Sequence, residues 1–592
     1  MDKKSGLLEK IRLLRRGIQL LFRTSSLYTI LILSLSAVNA FMPALNAIVL
    51  RRFLDSIVEM VQARTWLKSG LVLLLLLSLL NIVAYSLSGI TGLIKRIFSD
   101  KLDIYITDRV LHKSLLFPME VYDNAKIYNN IHTAITQTSS NCLNLLEAIS
   151  ETIYSTIKGL SFVCIILNFS WQVASVSLIT VIPLLHLSTK INVFWYGIYN
   201  GRVEKKRLIE YLKVLMVKNE NVKEVKLYNV GEKIIAFITK YFTLFLKEDA
   251  KTRKQFLNKK VLMQCVDVAF TFCVKLWLLF LGMQRNCSLG TIILYFNSLD
   301  DLKNSYNDFV AQLSFLQNSL LYLEALDELE HRVVCDDNGN CVFNKDFNKI
   351  EFNNVSFKYP GCDNYVLRNI SLEFERGKTY FVVGFNGSGK TTLIKLLLRL
   401  YEPTEGEILV DGKNIADMDL NEYYAHTSAI FQDFIKYPFD VFDNVAVRTV
   451  DEGDDRFSTV LDIVGMRQFV EDLPNKEHTL LMKDWSNGID ISQGQWQKLA
   501  IARCMYNNST IFILDEPFSS IDSQAENYII SNLRESRRDK LMIFISHRFS
   551  SISRADQIIV LQEGGIAEKG THEELMQNRD AYFKLVDAQK LD

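Results

Sequence analysis

Gly384-Phe385-Asn386-Gly387-Ser388-Gly389-Lys390-Thr391-Thr392 is the stretch that decides how the C-terminal part of this chain folds. It has the spacing G-x-x-x-x-G-K-[ST], and it lies between an apolar run, Tyr380 to Val383, that reads as a strand and a run, Thr392 to Leu400, that reads as a helix. That context is what the motif requires. Glycines reach backbone angles closed to other residues, so the N–H groups from Gly384 through Asn386, Gly387, Ser388 and Gly389 can curl around a phosphate at the helix's positive end. Lys390 is placed to hold β- and γ-phosphates, and Thr391, followed by Thr392, to ligate Mg²⁺.

A second acidic strand completes the pattern. Ile511-Phe512-Ile513-Leu514-Asp515-Glu516 reads as a buried parallel strand that delivers Asp515 to the sheet's C-terminal edge, where ligands bind. There Asp515 would hold Mg²⁺ through water, and Glu516, pointing the other way by strand alternation, would face an attacking water. An acidic pair at a strand end also suits a helix N-cap, a reading that gains nothing from the phosphate loop. Between the two lies Ile491-Ser492-Gln493-Gly494-Gln495, which opens an expected helix from Gln495 to Met505 whose dipole favours an anion at its N-terminus. Together these elements point to an ATP-driven motor.

From about residue 350 to the C-terminus the motifs resemble those of the ATP-binding cassette family. The resemblance implies that Tyr359, in Val355-Ser356-Phe357-Lys358-Tyr359-Pro360, stacks on adenine. It implies that Gln432, in Phe431-Gln432-Asp433, touches both metal and attacking water and relays to the membrane part. Ser519-Ser520-Ile521-Asp522 matches the loop that couples two sites, and His547 matches the switch histidine at the γ-phosphate. Ile491 to Gln495 matches the family signature L-S-G-G-Q, with Ile491 for leucine and Gln493 for the first glycine. Ser492 and Gly494 are kept, and with Gln495 they are expected to bind the ATP held by the opposite subunit. The resemblance thus implies ATP and Mg²⁺ as cofactors, Glu516, His547 and Gln432 as catalytic residues, and a second copy of the chain as partner.

Lys and Arg total 67 against 67 Asp and Glu, and this zero balance argues against a nucleic-acid-coating surface. Nearly half of the 592 residues are hydrophobic, an excess concentrated in the first 320. Apolar runs near Leu27–Leu50, Trp66–Ile94, Ile149–Phe169, Trp171–Leu187, Val261–Met283 and Leu289–Phe315 each approach the ~20 residues that cross a bilayer as helix. The expected fold is an α-helical six-span transmembrane domain of exporter type over residues 1–330, a linker over 331–345, and an α/β P-loop ATPase domain over 346–592 with a helical subdomain near 435–505. Lys3, Lys4, Lys10, Arg12, Arg15, Arg16 and Arg23 mark the N-terminus as cytoplasmic, although Arg51, Arg52, Arg64 and Lys68 flank the first external loop against that bias. The ATPase then lies on the cytoplasmic side of a bacterial plasma membrane. No signal-peptide cleavage pattern is present. Nine cysteines form no C-x-x-C pair and imply no disulfide framework; Cys335 and Cys341 bracket a turn in the linker.

Two polar stretches, Lys95 to Asn141 and Gly201 to Lys260, read as helical extensions of the spans. Within them Glu120-Val121-Tyr122-Asp123-Asn124 and Asn221 to Tyr228 resemble the family's coupling helices. The membrane part precedes the ATPase, as in exporters, and barely 25 residues precede the first span, so no N-terminal peptidase is expected. Asp484-Trp485-Ser486-Asn487-Gly488-Ile489-Asp490 and Gln495-Trp496-Gln497-Lys498 resemble the peptidase-free exporters of lantibiotics and other modified peptides; Trp496 also suits plain core packing. Three functions fit: peptide export by alternating access, export of a lipid or amphipathic drug, and an ATP-gated channel or regulator. In the last span, Asp301, Asn304, Ser305 and Asp308 share one helix face. Either this is an acidic cavity stripe for a cationic peptide or the helix has already left the bilayer and the stripe is solvated. Lys158, His186, Asp267 and Lys275 also lie within spans, to pair with one another or to touch cargo.

Overall fold

The computed structural model describes residues 3–64, 68–179, 194, 198, 201–331, 341–447, 455–536, 539–546, 548 and 552–590. The chain divides into two compact units, Met1–Leu115 with Lys126–Arg332, and Leu116–Ala125 with Val333–Asp592.

The first unit is helical: α1 (Lys3–Asn39), α2 (Met42–Ala63), α3 (Lys68–Leu115), α5 (Ala125–Leu167), α6 (Trp171–Ile179), α7 (Val203–Val217), α8 (Asn219–Leu227), α9 (Gly231–Gln284) and α10 (Leu289–Glu330), with the short α4 (Met119–Asp123) belonging to the second unit. The first expected span is divided between α1 and α2, because Pro43 lacks the N–H a continuing helix needs and sits instead in the first turn of α2. At 48 and 54 residues, α3 and α9 run roughly 70 and 80 Å, more than twice a ~30 Å hydrocarbon core, so each must carry a polar extension. Those extensions are the two polar stretches, and α4 and α8 coincide with the two segments that resemble coupling helices. Among the described residues four helical segments are long and apolar enough to cross a membrane: Arg12–Gln62, Lys68–Leu115, Cys142–Leu167 and Gly231–Gln284. They coincide with the first, second, third and fifth expected spans. The fourth begins as α6, and the rest of it, with His186, lies outside the described residues. The sixth is the long helix α10, but Asp300, Asp301, Lys303 and Asp308 interrupt its apolar stretch.

Three of those four charges are partnered across helices. Asp301 meets Lys158 of α5 at 3.2 Å, Asp300 meets Lys275 of α9 at 2.6 Å, and Lys303 pairs with Asp267 of α9. At Asp301 the face is thus an ion pair and not an open acidic surface, which corrects the stripe reading at that position. Ser305 is buried and turns its hydroxyl to the carbonyl of Asp301 at 2.7 Å, while Asn304 and Asp308 are exposed. Lys158, Asp267 and Lys275 each find their partner on α10 rather than on one another, as ionisable residues within apolar helices commonly do.

In the second unit a six-stranded sheet, ordered β10-β9-β3-β8-β7-β6, stands beside a four-stranded antiparallel sheet, β2-β1-β4-β5. The strands are β1 (Lys349–Phe357), β2 (Leu367–Glu375), β3 (Thr379–Gly384), β4 (Glu405–Val410), β5 (Lys413–Asn414), β6 (Thr427–Ile430), β7 (Ile511–Asp515), β8 (Leu541–Ile545), β9 (Gln557–Gln562) and β10 (Gly565–Gly570). All pairings from β9 through β6 are parallel, so both faces are covered and the strands read as unbroken apolar runs. Alternation sends Tyr380 and Val382 of β3 into one core with helix α11 (Lys390–Leu397), and Phe381 and Val383 into the other with α12 (Gln493–Tyr506). Short helices Val441–Val445, Arg456–Ile463 and Arg467–Glu471 pack on α12 and occupy the expected helical subdomain. Most of the expected linker, with Cys335, lies outside the described residues. The cysteines among the described residues are free.

Candidate functional site

The phosphate loop leaves β3 at Gly384, where any Cβ would collide with the carbonyl oxygen of Leu561 on the neighbouring strand. Gly389, at φ +101°, then lets the chain enter α11 with its first N–H groups directed into the loop. Lys390 is only 7% exposed and curls back to donate to the carbonyls of Gly384 at 2.9 Å and Phe385 at 3.0 Å. Desolvation lowers its pKa, opposed by Glu516 and Asp515. The hydroxyl of Ser388 is buried and has no hydrogen-bond partner among the described residues. A buried donor left unpaired is costly, and here it lies inside a nest of backbone N–H groups, where an anion would satisfy it.

At the sheet's edge Thr391 donates to the Asp515 carboxylate at 3.1 Å. Asp515 is 3% exposed, and desolvation pushes its pKa up to about 6, with the Thr391 hydrogen bond acting in the other direction. Two hard oxygen ligands thus converge at a point where a cation would relieve the buried carboxylate, and this fits Mg²⁺. Among the described residues no cluster of three or more His, Cys, Asp or Glu is placed to hold a metal by itself. Any such ion must complete its shell with phosphate and water, as Mg²⁺ does in phosphoryl-transfer sites.

Glu516 faces the site for a reason other than strand alternation. The strand ends at Asp515, and Glu516 adopts φ +47°, its N–H bonded to Ile545 at 2.9 Å. A non-glycine residue held in this left-handed region is uncommon. Its carboxylate accepts from the Gln432 amide at 3.0 Å, so two residues expected to act on one water touch each other.

Helix α12 begins two residues earlier than expected. Ser492 is its N-cap, in a capping box where Ser492 Oγ accepts from the N–H of Gln495 at 3.3 Å and Gln495 Oε1 accepts from the N–H of Ser492 at 2.7 Å. This leaves the Ser492 hydroxyl proton free to donate. Gly494 packs so tightly that a Cβ there would sit 2.8 Å from the Ser520 carbonyl oxygen. Among the described residues Ser492 shares no hydrogen bond with the phosphate loop of its own chain.

Sequence reasoning missed Gln497. It is 2% exposed, donates to the Glu516 carbonyl at 3.1 Å and to Ser519 Oγ at 3.0 Å, and accepts from the Ser520 N–H at 2.8 Å. One side chain thus fixes the signature helix to the end of β7 and to the coupling loop. Asp522 caps helix α13 (Ser523–Ser536), accepting from Ala525 at 2.9 Å and Gln524 at 3.1 Å; these bonds lower its pKa. Trp496 is buried in the core, with Lys436 over its ring, whereas Trp485 is exposed. Tyr359 bonds through its hydroxyl to Thr392 of α11 at 3.1 Å. His547 lies outside the described residues.

Residues 367–519 match the family model described as ABC transporter. The subtilin transport ATP-binding protein of Bacillus subtilis is 27% identical over 98% of this chain and 95% of that protein. The nisin transport ATP-binding protein of Lactococcus lactis is 25% identical over 96% and 94%. An ATP-dependent lipid A-core flippase of Shigella flexneri is 32% identical, over 52% of each chain. Among solved structures, a bacterial Atm1-family ABC exporter with ATP bound superposes at a TM-score of 0.79, 18% identical, covering 96% of this chain and 98% of that one.

Proposed function

From the premise that this chain is an ATP-binding cassette exporter, a membrane-spanning helical unit fused to an ATPase that drives transport, we propose that its cargo is a lantibiotic-like or otherwise modified peptide moved out of the cytoplasm. The observation that carries this reading is the near full-length similarity to the subtilin and nisin transport proteins. The flippases are more alike per residue but over about half the chain. Similarity confined to half of a fused motor and membrane protein speaks to the motor before it speaks to the cargo. The acidic face of α10 adds nothing to the proposal, since Lys158 and Lys275 already neutralise Asp301 and Asp300.

In the proposed mechanism Ser388, Lys390 and the loop N–H groups orient the triphosphate of ATP, with Tyr359 against the base. Thr391, Asp515 and Gln432 would hold Mg²⁺, which when bound neutralises charge on the phosphates. Gln432 holds the Glu516 carboxylate where it accepts a proton from the attacking water. Ser492 and Gly494 close over the γ-phosphate bound by a second copy of the chain. Contacts made to ATP only in the closed pair supply the differential affinity that shifts the membrane unit between inward and outward states.

The test is ATP-dependent uptake into inside-out vesicles, using subtilin and nisin precursor peptides and, separately, a fluorescent lipid A analogue. Uptake of peptide that Glu516→Gln abolishes is the expected result. Lipid movement without peptide uptake would assign the cargo to the second class.

A further inference from the structure

Between the coupling helix candidate α4 and the phosphate-loop helix α11 runs a path of aromatic side chains that the hydrolytic machinery does not use. Phe357, Tyr359 and Tyr401 form a mutually edge-on cluster, with ring centroids 5.0, 5.3 and 5.6 Å apart. At one end Tyr359 bonds to Thr392 of α11 at 3.1 Å. At the other, Tyr401 donates its phenolic hydrogen to the Asp123 carboxylate, the last residue of α4, at 2.7 Å. Lys395 lies over both tyrosine rings, 5.6 and 5.7 Å from their centroids.

We infer that Tyr401 and Asp123 are positioning residues that report the presence of the nucleotide base to α4, along Tyr359, Tyr401 and Asp123. The inference rests on the reading of Tyr359 as the residue against the base. Tyr401 is 4% exposed and Tyr359 half-buried, so a ligand that reorients Tyr359 changes its edge-on contact with a ring packed at interior density. A base that sets the plane of Tyr359 therefore bears on the ring of Tyr401. Burial first, and Asp123 second, push the Tyr401 hydroxyl far above its ordinary pKa, so it remains a donor at any working pH. Its bond to a carboxylate is charge-assisted, the kind whose geometry a small ring displacement alters most. Leu116–Ala125 packs with the ATPase unit although the helices on either side, α3 and α5, belong to the membrane unit. A change at Asp123 is thus applied to a short segment that joins the long helices α3 and α5. Lys390, Thr391 and Glu516, the residues proposed to act on the phosphates and the metal, bond to Phe385, Asp515 and Gln432, and none of these belongs to this path.

The experiment is amide hydrogen exchange of Met119–Asp123 in the full chain in lipid nanodiscs, with and without the non-hydrolysable ATP analogue AMP-PNP and Mg²⁺, alongside the analogue's Kd. Wild type should show slower exchange in α4 on binding. Tyr401→Phe and Asp123→Ala should lose at least about tenfold of that protection, the scale of one hydrogen bond to a charged group, while Kd moves less than about threefold. Asp123→Asn, which still accepts from Tyr401, should retain the response. Equal protection in wild type, Tyr401→Phe and Asp123→Ala overturns the relay, and so does an α4 that does not respond in wild type. Should Tyr401→Phe fail to fold, the exposed Asp123 pair decides alone. Tyr359→Ala separates the two claims: an unchanged Kd would refute the base-stacking reading itself, independently of the relay.

Discussion

Asp515 carries its carboxylate where burial penalises the charge, and the penalty has a sign that can be followed with pH. Its pKa rises from an ordinary value near 4 to about 6 in the folded chain. Between those values the folded state binds a proton that the unfolded state has lost, so the contribution is most favourable below about pH 4. It diminishes as pH rises through about 6, and is constant above that. The full shift corresponds to about 3 kcal/mol. Asp515→Asn keeps an acceptor for Thr391 and removes the charge, so the nucleotide-free variant should be more stable at pH 7.5 by roughly 1 to 3 kcal/mol, raising its Tm, with the difference vanishing near pH 4. Equal melting temperatures at pH 7.5 would mean that Lys390 already neutralises the carboxylate. ATP hydrolysis by the same variant should fall to background, because the group that would hold the metal is gone. The position of Asp515 was legible from its apolar run and the phosphate loop. The left-handed backbone that aims Glu516 was not, since glutamate gives no local signal for φ +47°.

The signature helix α12 depends on contacts at its first two turns. Its start at Ser492 was written in the sequence as S-x-x-Q, the capping-box pattern, and the expected start at Gln495 came late because Gly494 is a weak helix former. What no local pattern carried is the fit of Gly494 under Ser520 and the bridge made by Gln497, because their partners, Glu516, Ser519 and Ser520, lie 19 or more residues away along the chain. Gly494→Ala introduces a methyl group 2.8 Å from a backbone oxygen. It should cost roughly 1 to 3 kcal/mol by overpacking and should lower ATP turnover more than ATP binding, read by comparing kcat with the Kd of the nucleotide. Gln497→Leu fills the same volume but removes the acceptor in the part-buried bond from the Ser520 N–H and the donor to Ser519 and Glu516, a cost of about 1 to 3 kcal/mol that urea unfolding would report. A Gln497→Leu chain as stable as wild type would show that water replaces the amide. The same distinction between local and distant partners holds in the membrane unit. The charged residues of α10 were visible in the sequence, but their lysine and aspartate partners on α5 and α9 were not, since the pairing depends on how three helices face one another.

At the scale of the whole molecule, the order of parts was legible because apolar runs of bilayer length and a P-loop are signals that need no tertiary context. The assembly is a different matter, since one chain supplies one phosphate loop and one signature helix, and a surface that fits a second copy leaves no periodic trace in the sequence. If two copies form the working unit, it is a two-fold pair in which each signature covers the other copy's nucleotide. Co-expressing differently tagged wild-type and Glu516→Gln chains at equal levels, in lipid, then gives mixed pairs in statistical proportions. When both sites must fire for turnover, only pairs with two wild-type chains work, and activity per total protein falls to about one quarter. When the sites fire independently it falls to about one half, because each wild-type site in a symmetric pair acts alone. Pulling down one tag must recover the other for either value to count as evidence of a homodimer. An inactive pure wild-type chain that gains turnover only when a different cassette protein is supplied would replace the homodimer with a heterodimer. Of the two fractions, one quarter is expected, because the Ser519-Ser520-Ile521-Asp522 loop is bound through Gln497 to the carbonyl of Glu516 and through Gly494 to the signature helix. On the proposed two-copy reading, these contacts link each hydrolytic glutamate to the residues that would cover the other copy's nucleotide.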